Sequence, residues 1–150
     1  TSDRDRAQMY ATKAAINHPE AEVFEFANFK TMYGGRKIAA GDAIYLFASE
    51  NEGGSGLVAR AEVVSAQATP KTPGVARQTP RVSIVVRRTA MAKRRLGRAE
   101  LRPHADWNDG QPQSELNFKF YRQATDKIAG LSETAAAFLE AHCAQRTDQR

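Results

Sequence analysis

The stretch "GDAIYLFASENEGGSGLVARAEVVSA", from Gly41 to Ala66, is the clearest structural signal in the sequence. Residues 43–48 are apolar on both alternating faces, which is typical of a strand buried on two sides. The glycine-rich "ENEGGSG" then supplies a turn before residues 57–64, where apolar and polar residues alternate more openly. The stretch therefore predicts a β-hairpin with a long loop. Its glycines do not indicate a P-loop, because no Gly-Lys-Ser/Thr follows them and no helix opens after them.

Weaker signals lie on both sides of this hairpin. "QMYAT", residues 8–12, predicts a short first strand, and "RVSIVVRRT", residues 81–89, predicts a β-branched strand. Residues 17–35 show no clean period, and we interpret them as a partly helical, compact excursion. Residues 68–80 are polar and punctuated by proline, which indicates a loop.

The segment "SELNFKFYRQATDKIAGLSETAAAFLEAHC", which begins at Ser114, has two parts. Its first part alternates, which predicts a strand with one core face and one outward face. The core face would carry Leu116, Phe118 and Phe120, and the outward face Asn117, Lys119 and Tyr121. The second part predicts an amphipathic helix with Ser132 as its N-cap.

These elements together predict the fold class. Five or six short strands with a few helices, and no repeated strand-helix alternation, indicate an α+β protein built on a small mixed β-barrel with flanking helices. At 150 residues the chain is expected to form a single domain.

The composition is that of a soluble globular protein, with 41% hydrophobic and 26% charged residues. No apolar run approaches the roughly 18 residues that span a bilayer, and the polar start lacks the apolar region of a secretory signal. We therefore expect a cytoplasmic location and no membrane partner. The single cysteine, Cys143, lies at an apolar helical position and is expected to pack in the core.

The net charge of +5 is concentrated in one span. Residues 77–102 hold nine Lys or Arg and only one acid, Glu100, which gives a net charge of +8. Such a cluster suits a phosphate backbone, and the alternative is a solvated strand edge kept soluble by its charges. The candidate phosphate-binding residues are Arg87, Arg88, Lys93, Arg94 and Arg95.

Catalytic chemistry is hard to nominate. The three histidines are not spaced with Cys or acidic residues in a zinc pattern, so neither a metal nor another cofactor is predicted. No nucleophile elbow supports a Ser-His-Asp triad. A lysine base, Lys119 or Lys127 beside Glu50, is conceivable only if burial lowers its pKa.

Binding chemistry is better represented. Aromatic residues lie in or beside predicted loops, and asparagines are interleaved with them. An aromatic ring stacked on an unpaired base contributes about 1 to 3 kcal/mol, and an amide can read the edge of a base. The aromatic candidates are Phe29, Tyr33, Trp107 and Tyr121, and the amides are Asn28, Asn108 and Asn117.

Several motifs in order resemble the EVE domain. Asn28 and Phe29 match an Asn-aromatic pair, Gly41 and Asp42 open a strand, and Ser49 is the small polar residue that ends it. Residues 56–64 match a "G-hydrophobic-hydrophobic-A-x-x-E-V" strand, and "FYRQATDKIAGLSETAAAFLE" is similar to the closing segment of the family. The tryptophan-rich first strand of the family is replaced here by "MYATKAA".

The resemblance implies a PUA-like barrel, related to YTH and ASCH domains, that reads a modified or unpaired base in DNA or RNA. Trp107 with Phe29 or Tyr33 would form an aromatic cage, and Asn28 and Ser49 would contact the edge of the base. Arg122 and the basic span would hold phosphates. The remaining candidate base-binding residues are Glu50, Asn117, Lys119, Tyr121 and Gln123.

Two alternatives stay open at this point. One is an ASCH-like enzyme that acts on a nucleoside or RNA through a lysine base. The other is a protein-interaction module whose charges only solvate the surface.

Overall fold

The computed structural model describes residues 9–16, 18, 20–50, 54, 56–70, 73–74, 81–93, 96–104, 106, 109–121 and 127–143. Six strands lie in this part of the chain: β1 (Met9–Ala14), β2 (Val23–Met32), β3 (Ala43–Ala48), β4 (Gly56–Ala68), β5 (Arg81–Met91) and β6 (Lys127–Gly130). Three short helices accompany them: α1 (Arg98–Leu101), α2 (Pro112–Leu116) and α3 (Glu133–Glu140). None of the described helices is long and apolar enough to cross a membrane.

The strands form a closed barrel in the order β1-β3-β4-β5-β2-β6, with β6 pairing back onto β1. The β1–β3 and β2–β6 pairs are parallel and the other four are antiparallel. Closure gives each strand a partner on both sides, so the described barrel has no free edge that could pair with another chain. The prediction of a small mixed α+β barrel with flanking helices is confirmed.

Two hydrophobic cores lie on opposite sides of the barrel wall. The barrel interior is filled by side chains such as Tyr10, Ile44, Ile84 and Ile128. The second core lies between the outer wall and the helices, and its members include Tyr45, Phe47, Leu116, Phe120, Leu139 and Cys143. Alternate residues of β1, β3 and β6 therefore enter different cores, so both faces of these strands are buried.

Most of the predicted elements are confirmed. The Gly41–Ala66 hairpin corresponds to β3 and β4, and the first strand and the β-branched strand correspond to β1 and β5. The Ser132 hydroxyl accepts a hydrogen bond from the Ala135 N–H (3.1 Å) at the start of α3, as expected of an N-cap. Gly56 has a φ of 92°, and a Cβ there would lie 2.3 Å from the Leu96 carbonyl oxygen, so this glycine serves close packing.

The partly helical interpretation of residues 17–35 is wrong, because β2 occupies residues 23–32. Phe24 and Phe26 point into the barrel with the period of two that a strand requires. A β-bulge then shifts the register between Phe26 and Phe29, and Asn28 takes a left-handed φ of 58°. The extra residue breaks the alternation, which is why the sequence shows no clean period.

The predicted strand at residues 114–121 is also wrong. Pro112 begins α2, which continues as a π-helical turn from Asn117 to Tyr121. Leu116, Asn117 and Phe120 are buried, and this spacing of one, three and four residues is helical. Phe118 is only half-buried, contrary to the prediction that it belongs to the core beside Phe120.

Glu115 connects α2 to the start of α3. Its carboxylate accepts hydrogen bonds from the Ser132 N–H (3.0 Å) and the Ser132 hydroxyl, and it pairs with the Lys119 ammonium at 2.9 Å. Burial raises the pKa of the Glu115 carboxyl, but the hydrogen bonds from Ser132 and Lys119 outweigh burial, so the net pKa lies below the ordinary 4.5.

This network predicts a loss of stability in acid. Because the pKa of Glu115 is lower in the folded chain than in the unfolded chain, its contribution is fully present at neutral pH and is lost as pH falls below 4.5. We expect Glu115→Gln to lower the free energy of unfolding at pH 7 by about 1 to 2 kcal/mol. Urea unfolding at several pH values measures this, and the variant should lose less stability in acid than the wild type. An equal loss in both proteins contradicts the assignment.

Candidate functional site

A polar cluster lies between the outer barrel wall and the helical layer, at the end of the barrel where β1 and β3 finish. Lys13 on β1 and Lys127 on β6 are cross-strand partners on the outer face. Ser49 follows β3 and donates its N–H to the Ala14 carbonyl at 2.9 Å. Glu50 comes next, and Tyr121 approaches from the π-helical turn. We call Lys13, Ser49, Glu50, Tyr121 and Lys127 the cleft residues.

Ser49 and Glu50 carry buried polar atoms that have no partner. The Ser49 side chain is 1% exposed, and neither its Oγ nor the Glu50 Oε1 has a hydrogen-bond partner among the described residues. The other Glu50 oxygen, Oε2, accepts from the Arg98 N–H at 2.7 Å and lies 3.5 Å from the Tyr121 hydroxyl. A buried polar group without a partner costs about 1 to 3 kcal/mol, so a polar ligand that satisfies both atoms would gain this energy.

Tyr121 supplies the aromatic surface of the cluster. The Lys13 ammonium lies 4.2 Å from the centre of its ring, and the ring meets Phe47 edge-on with centroids 6.4 Å apart. Burial raises the pKa of the Tyr121 hydroxyl, and the Glu50 charge adds to this effect. The hydroxyl therefore stays neutral and can donate at physiological pH.

The two cleft lysines are both only 4% exposed. Burial lowers the pKa of Lys13, and this effect prevails over the opposing charge of Glu50. Burial also lowers the pKa of Lys127 to about 8, in the same direction as the nearby charges of Lys13 and Lys119. The Lys127 Nζ donates to the Lys119 carbonyl at 2.6 Å. The sequence paired a base lysine, Lys119 or Lys127, with Glu50, whereas the structure places Lys119 against Glu115 at 2.9 Å and brings Lys13 under the charge of Glu50.

Lys119 and Tyr33 form a separate group near the far end of β6. The Lys119 ammonium donates to the Gly130 carbonyl at 2.7 Å and lies 4.6 Å from the centre of the Tyr33 ring. Asn117 is buried, and its amide donates to the His104 carbonyl at 3.1 Å. The expectation that Asn117, Lys119 and Tyr121 share one outward strand face is therefore wrong, since helical geometry separates them.

Asn28 and Phe29 lie on the β2 bulge. The Asn28 side-chain oxygen accepts from the Thr69 hydroxyl at 2.8 Å, and its backbone N–H donates to the Ser83 hydroxyl at 3.0 Å. Phe29 packs against Phe26 with ring centroids 5.2 Å apart, beside a groove of about 390 Å³ formed by β2 and residues 14–21. Ser49 is not among the residues that line this groove. Asn28 does not line this groove either, so the contact of Asn28 and Ser49 with the same base stays a prediction.

The predicted phosphate-binding arginines serve other contacts where the structure describes them. Arg88 donates to the carbonyls of Glu20 (2.7 Å) and Ala21 (2.8 Å), and Arg87 pairs with Glu62 at 3.4 Å on the surface. Lys93 is exposed. Six predicted residues lie outside the described residues: Arg94, Arg95, Trp107, Asn108, Arg122 and Gln123. Their roles in binding the base or its phosphates stay predictions.

Sequence reasoning missed Lys13. The signal was present, because "MYATKA" is otherwise a buried strand and a lysine in such a strand requires a partner or a function. Ser49, Glu50 and Tyr121 were predicted as binding residues, and the structure brings them together. Among the described residues, no three His, Cys, Asp or Glu side chains are placed to hold a metal ion.

No protein-family description matches the chain, and no curated protein matches its sequence. Solved structures do match its fold. Human THYN1 protein in complex with DNA containing 5-methylcytosine superposes with a TM-score of 0.62 at 16% identity, covering 90% of this chain and 96% of that one. The DUF55 domain of human thymocyte nuclear protein 1 gives a TM-score of 0.61 at 16% identity, covering 89% and 96%.

A point mutant of the ZmASCH protein from Zymomonas mobilis also superposes, with a TM-score of 0.53 at 9% identity over 91% of this chain and 99% of that one. At such low identities the comparisons establish the fold alone. The chain therefore shares the fold of these proteins, a small mixed barrel with flanking helices.

Proposed function

We propose that the protein binds nucleic acid and holds one unpaired base in the cleft, where Ser49 and Glu50 contact the edge of the base. The observation that carries the proposal is the pair of buried, unpartnered atoms, Ser49 Oγ and Glu50 Oε1, beside an aromatic ring. The fold neighbour THYN1, whose structure holds DNA with 5-methylcytosine, supports nucleic acid as the partner.

The polarity of these atoms favours a class of base. A carboxylate only accepts hydrogen bonds, so Glu50 Oε1 favours a base with an exocyclic amino group, such as cytosine or adenine. A thymine that places its carbonyl oxygen there leaves the Glu50 acceptor unsatisfied, whereas the Ser49 hydroxyl can donate or accept and so does not discriminate between the bases. A methyl group at C5 adds at most about 0.8 kcal/mol by burial, so we expect a preference of only a few-fold for 5-methylcytosine over cytosine.

The binding energy of such a site is sufficient to offset the cost of unstacking a base. Unstacking costs a few kcal/mol, and least for a base that is already unpaired. Stacking on Tyr121 would return about 1 to 3 kcal/mol, and satisfying two buried polar atoms would return a similar amount. The cleft is therefore expected to favour single-stranded or mismatched substrates over an intact duplex.

Fluorescence anisotropy tests the proposal directly. Labelled single strands of about ten nucleotides, a typical site size for such proteins, would differ at one central position carrying 5-methylcytosine, cytosine, thymine or no base. We expect both cytosines to bind at least about tenfold tighter than the abasic strand, with thymine between these values because it stacks but leaves Glu50 unsatisfied. The same dissociation constant for all four strands would show that the cleft holds no base. Ribonucleotide versions of the strands compare DNA with RNA.

A second candidate function rests on Lys127. A lysine whose pKa is about 8 is partly neutral near physiological pH, as a general base must be, and one fold neighbour is the ZmASCH protein. An enzyme acting on a nucleoside or RNA would then lose turnover on Lys127→Met and keep it on the exposed control Lys37→Met. Absence of product from a nucleoside panel with the wild-type chain contradicts this candidate.

Burial of Lys127 also predicts a stability effect that does not depend on function. Its pKa is lower in the folded chain, at about 8, than in the unfolded chain, near 10.5. Between these values the unfolded chain binds more protons, so the free energy of unfolding should rise with pH from 8 to about 10. Lys127→Met should be more stable than the wild type at pH 7 and show less of this rise in urea unfolding. A variant that is destabilised at pH 7, with the rise intact, contradicts the account.

A further inference from the structure

Four basic residues lie in register across four neighbouring strands. Arg81 on β5 is the cross-strand partner of Lys30 on β2, Lys30 is the partner of Lys127 on β6, and Lys127 is the partner of Lys13 on β1. Directly paired residues share a face of a sheet. We call Lys13, Lys30, Arg81 and Lys127 the basic row.

The row lies on the outside of the barrel. The chain neighbours of its members, such as Val82 and Ile128, point into the barrel interior. At one end, Lys13 and Lys127 are buried under the π-helical turn as cleft residues, and at the other end Lys30 and Arg81 are exposed. The row therefore runs from the surface into the cleft.

Protection of a strand edge does not explain the row. A strand in a closed barrel has partners on both sides, so it has no edge that charges must keep from aggregating. Like charges placed directly opposite each other destabilise a sheet, and no acidic residue is in register with the row, which continues through Phe47 on β3 and Leu57 on β4. An external anion would relieve this repulsion.

At the exposed end of the row, hydrogen bonds within the described residues use only part of the donors. The Lys30 ammonium has no hydrogen-bond or ion-pair partner among the described residues, whereas Arg81 uses part of its guanidinium to donate to the Asn28 carbonyl at 3.0 Å. Neighbouring strands lie about 4.8 Å apart, so Lys30 and Arg81 present two cations at about this spacing. One stacked nucleic-acid strand carries a phosphate about every 3.4 Å, so the two side chains can reach neighbouring phosphates.

We propose that Lys30 and Arg81, the exposed end of the basic row, hold the sugar-phosphate backbone that flanks the bound base, with the strand leaving the cleft over β2 and β5. This inference rests on the proposed function and specifies the path of the nucleic acid. It differs from the sequence-based prediction, because Arg87 and Arg88 serve protein contacts while Lys30 does not.

The test compares Lys30→Gln with the matched control Lys37→Gln, since both residues are exposed lysines and each variant loses one positive charge. The same four labelled strands are titrated at several salt concentrations. Lys30→Gln should weaken binding about three- to tenfold for every strand, and the slope of log K against log salt should fall by about 0.7, the value for one phosphate contact. Lys37→Gln should change neither quantity, and both variants should keep the melting temperature of the wild type.

A strand with one neutral methylphosphonate sharpens the test. If Lys30 contacts that phosphate, the wild type binds the modified strand more weakly than the unmodified one, whereas Lys30→Gln binds the two strands almost equally. This non-additivity identifies Lys30 and that phosphate as a contacting pair. Equal binding of a Glu-rich peptide of matched charge would overturn the proposal, because it would indicate a general polyanion surface.

The outcomes separate this inference from the proposed function. If the base preference is observed but Lys30→Gln binds like the wild type, the proposal for the basic row is overturned and the proposed base site stands. A Lys30 effect without any base preference supports the row and overturns the base-binding site. Absence of binding to every strand overturns both.

Discussion

Phe120→Ala is expected to lower the free energy of unfolding by about 3 to 5 kcal/mol, the usual cost of removing a fully buried phenylalanine. The Phe120 side chain is 1% exposed and stacks on Phe47 with ring centroids 5.8 Å apart and a 12° angle between the rings. It fills the core between the barrel wall and the helices. Its removal leaves a cavity that the neighbouring side chains can fill only in part. Urea unfolding monitored by circular dichroism measures the loss.

Phe118→Ala is the matched control, because it removes the same side chain two residues away. In the π-helical turn Phe118 is half-buried, so its loss should be clearly smaller, about 1 to 2 kcal/mol. A strand with both phenylalanines on its core face would show equal losses. Equal values would therefore contradict the helical assignment of residues 112–121.

Glu50→Gln is expected to reverse the base preference of the cleft. The amide oxygen of the variant can still accept from the Arg98 N–H, as Glu50 Oε2 does at 2.7 Å. The amide nitrogen then replaces Oε1, so a donor stands where an acceptor stood. A hydrogen bond to a charged group contributes about 1.5 to 3 kcal/mol, so strands with a central cytosine should bind roughly 10- to 100-fold more weakly. Thymine strands should bind as well as in the wild type or better.

Glu62→Gln controls for the loss of one negative charge. Glu62 lies on the outer surface of β4 and pairs with Arg87, and exposed pairs contribute little. This variant should keep the order of the four strands and bind all of them slightly more tightly, because it removes one repulsive charge. If Glu50→Gln behaves in the same way as Glu62→Gln, then Glu50 acts only through its charge and does not contact a base.

The parts of the fold that the sequence predicts are those with uninterrupted periodicity. β3, β5 and α3 follow one hydrophobic pattern from end to end, so their elements can be read locally. The sequence does not predict β2, because the bulge at Asn28 shifts the hydrophobic pattern by one residue. The sequence does not predict the π-helical turn, because Leu116 and Phe120 are four residues apart, a spacing that suits both a strand face and a helix face. Only Pro112, which favours the first turn of a helix, distinguishes the two.

The candidate site divides in the same way. Ser49 and Glu50 follow a well-predicted strand, and their positions could be proposed from the motif that ends it. Which other residues meet them depends on long-range pairing, since Lys13 reaches the cleft only through the parallel register of β1 with β3. The basic row depends on three strand registers at once, each between segments far apart in sequence. Such registers are set by the closed barrel as a whole and leave no local signal.

The most direct test of the central claim is to locate the bound base by nuclear magnetic resonance. A single strand with one central 5-methylcytosine places a methyl group at the site, and nuclear Overhauser effects show which protein protons lie near it. We predict cross-peaks from this methyl group to the ring of Tyr121 and the side chain of Lys13, at the end of the barrel where Ser49 and Glu50 lie. Cross-peaks to Phe24 or Phe29, which line the groove beside β2, would contradict the account.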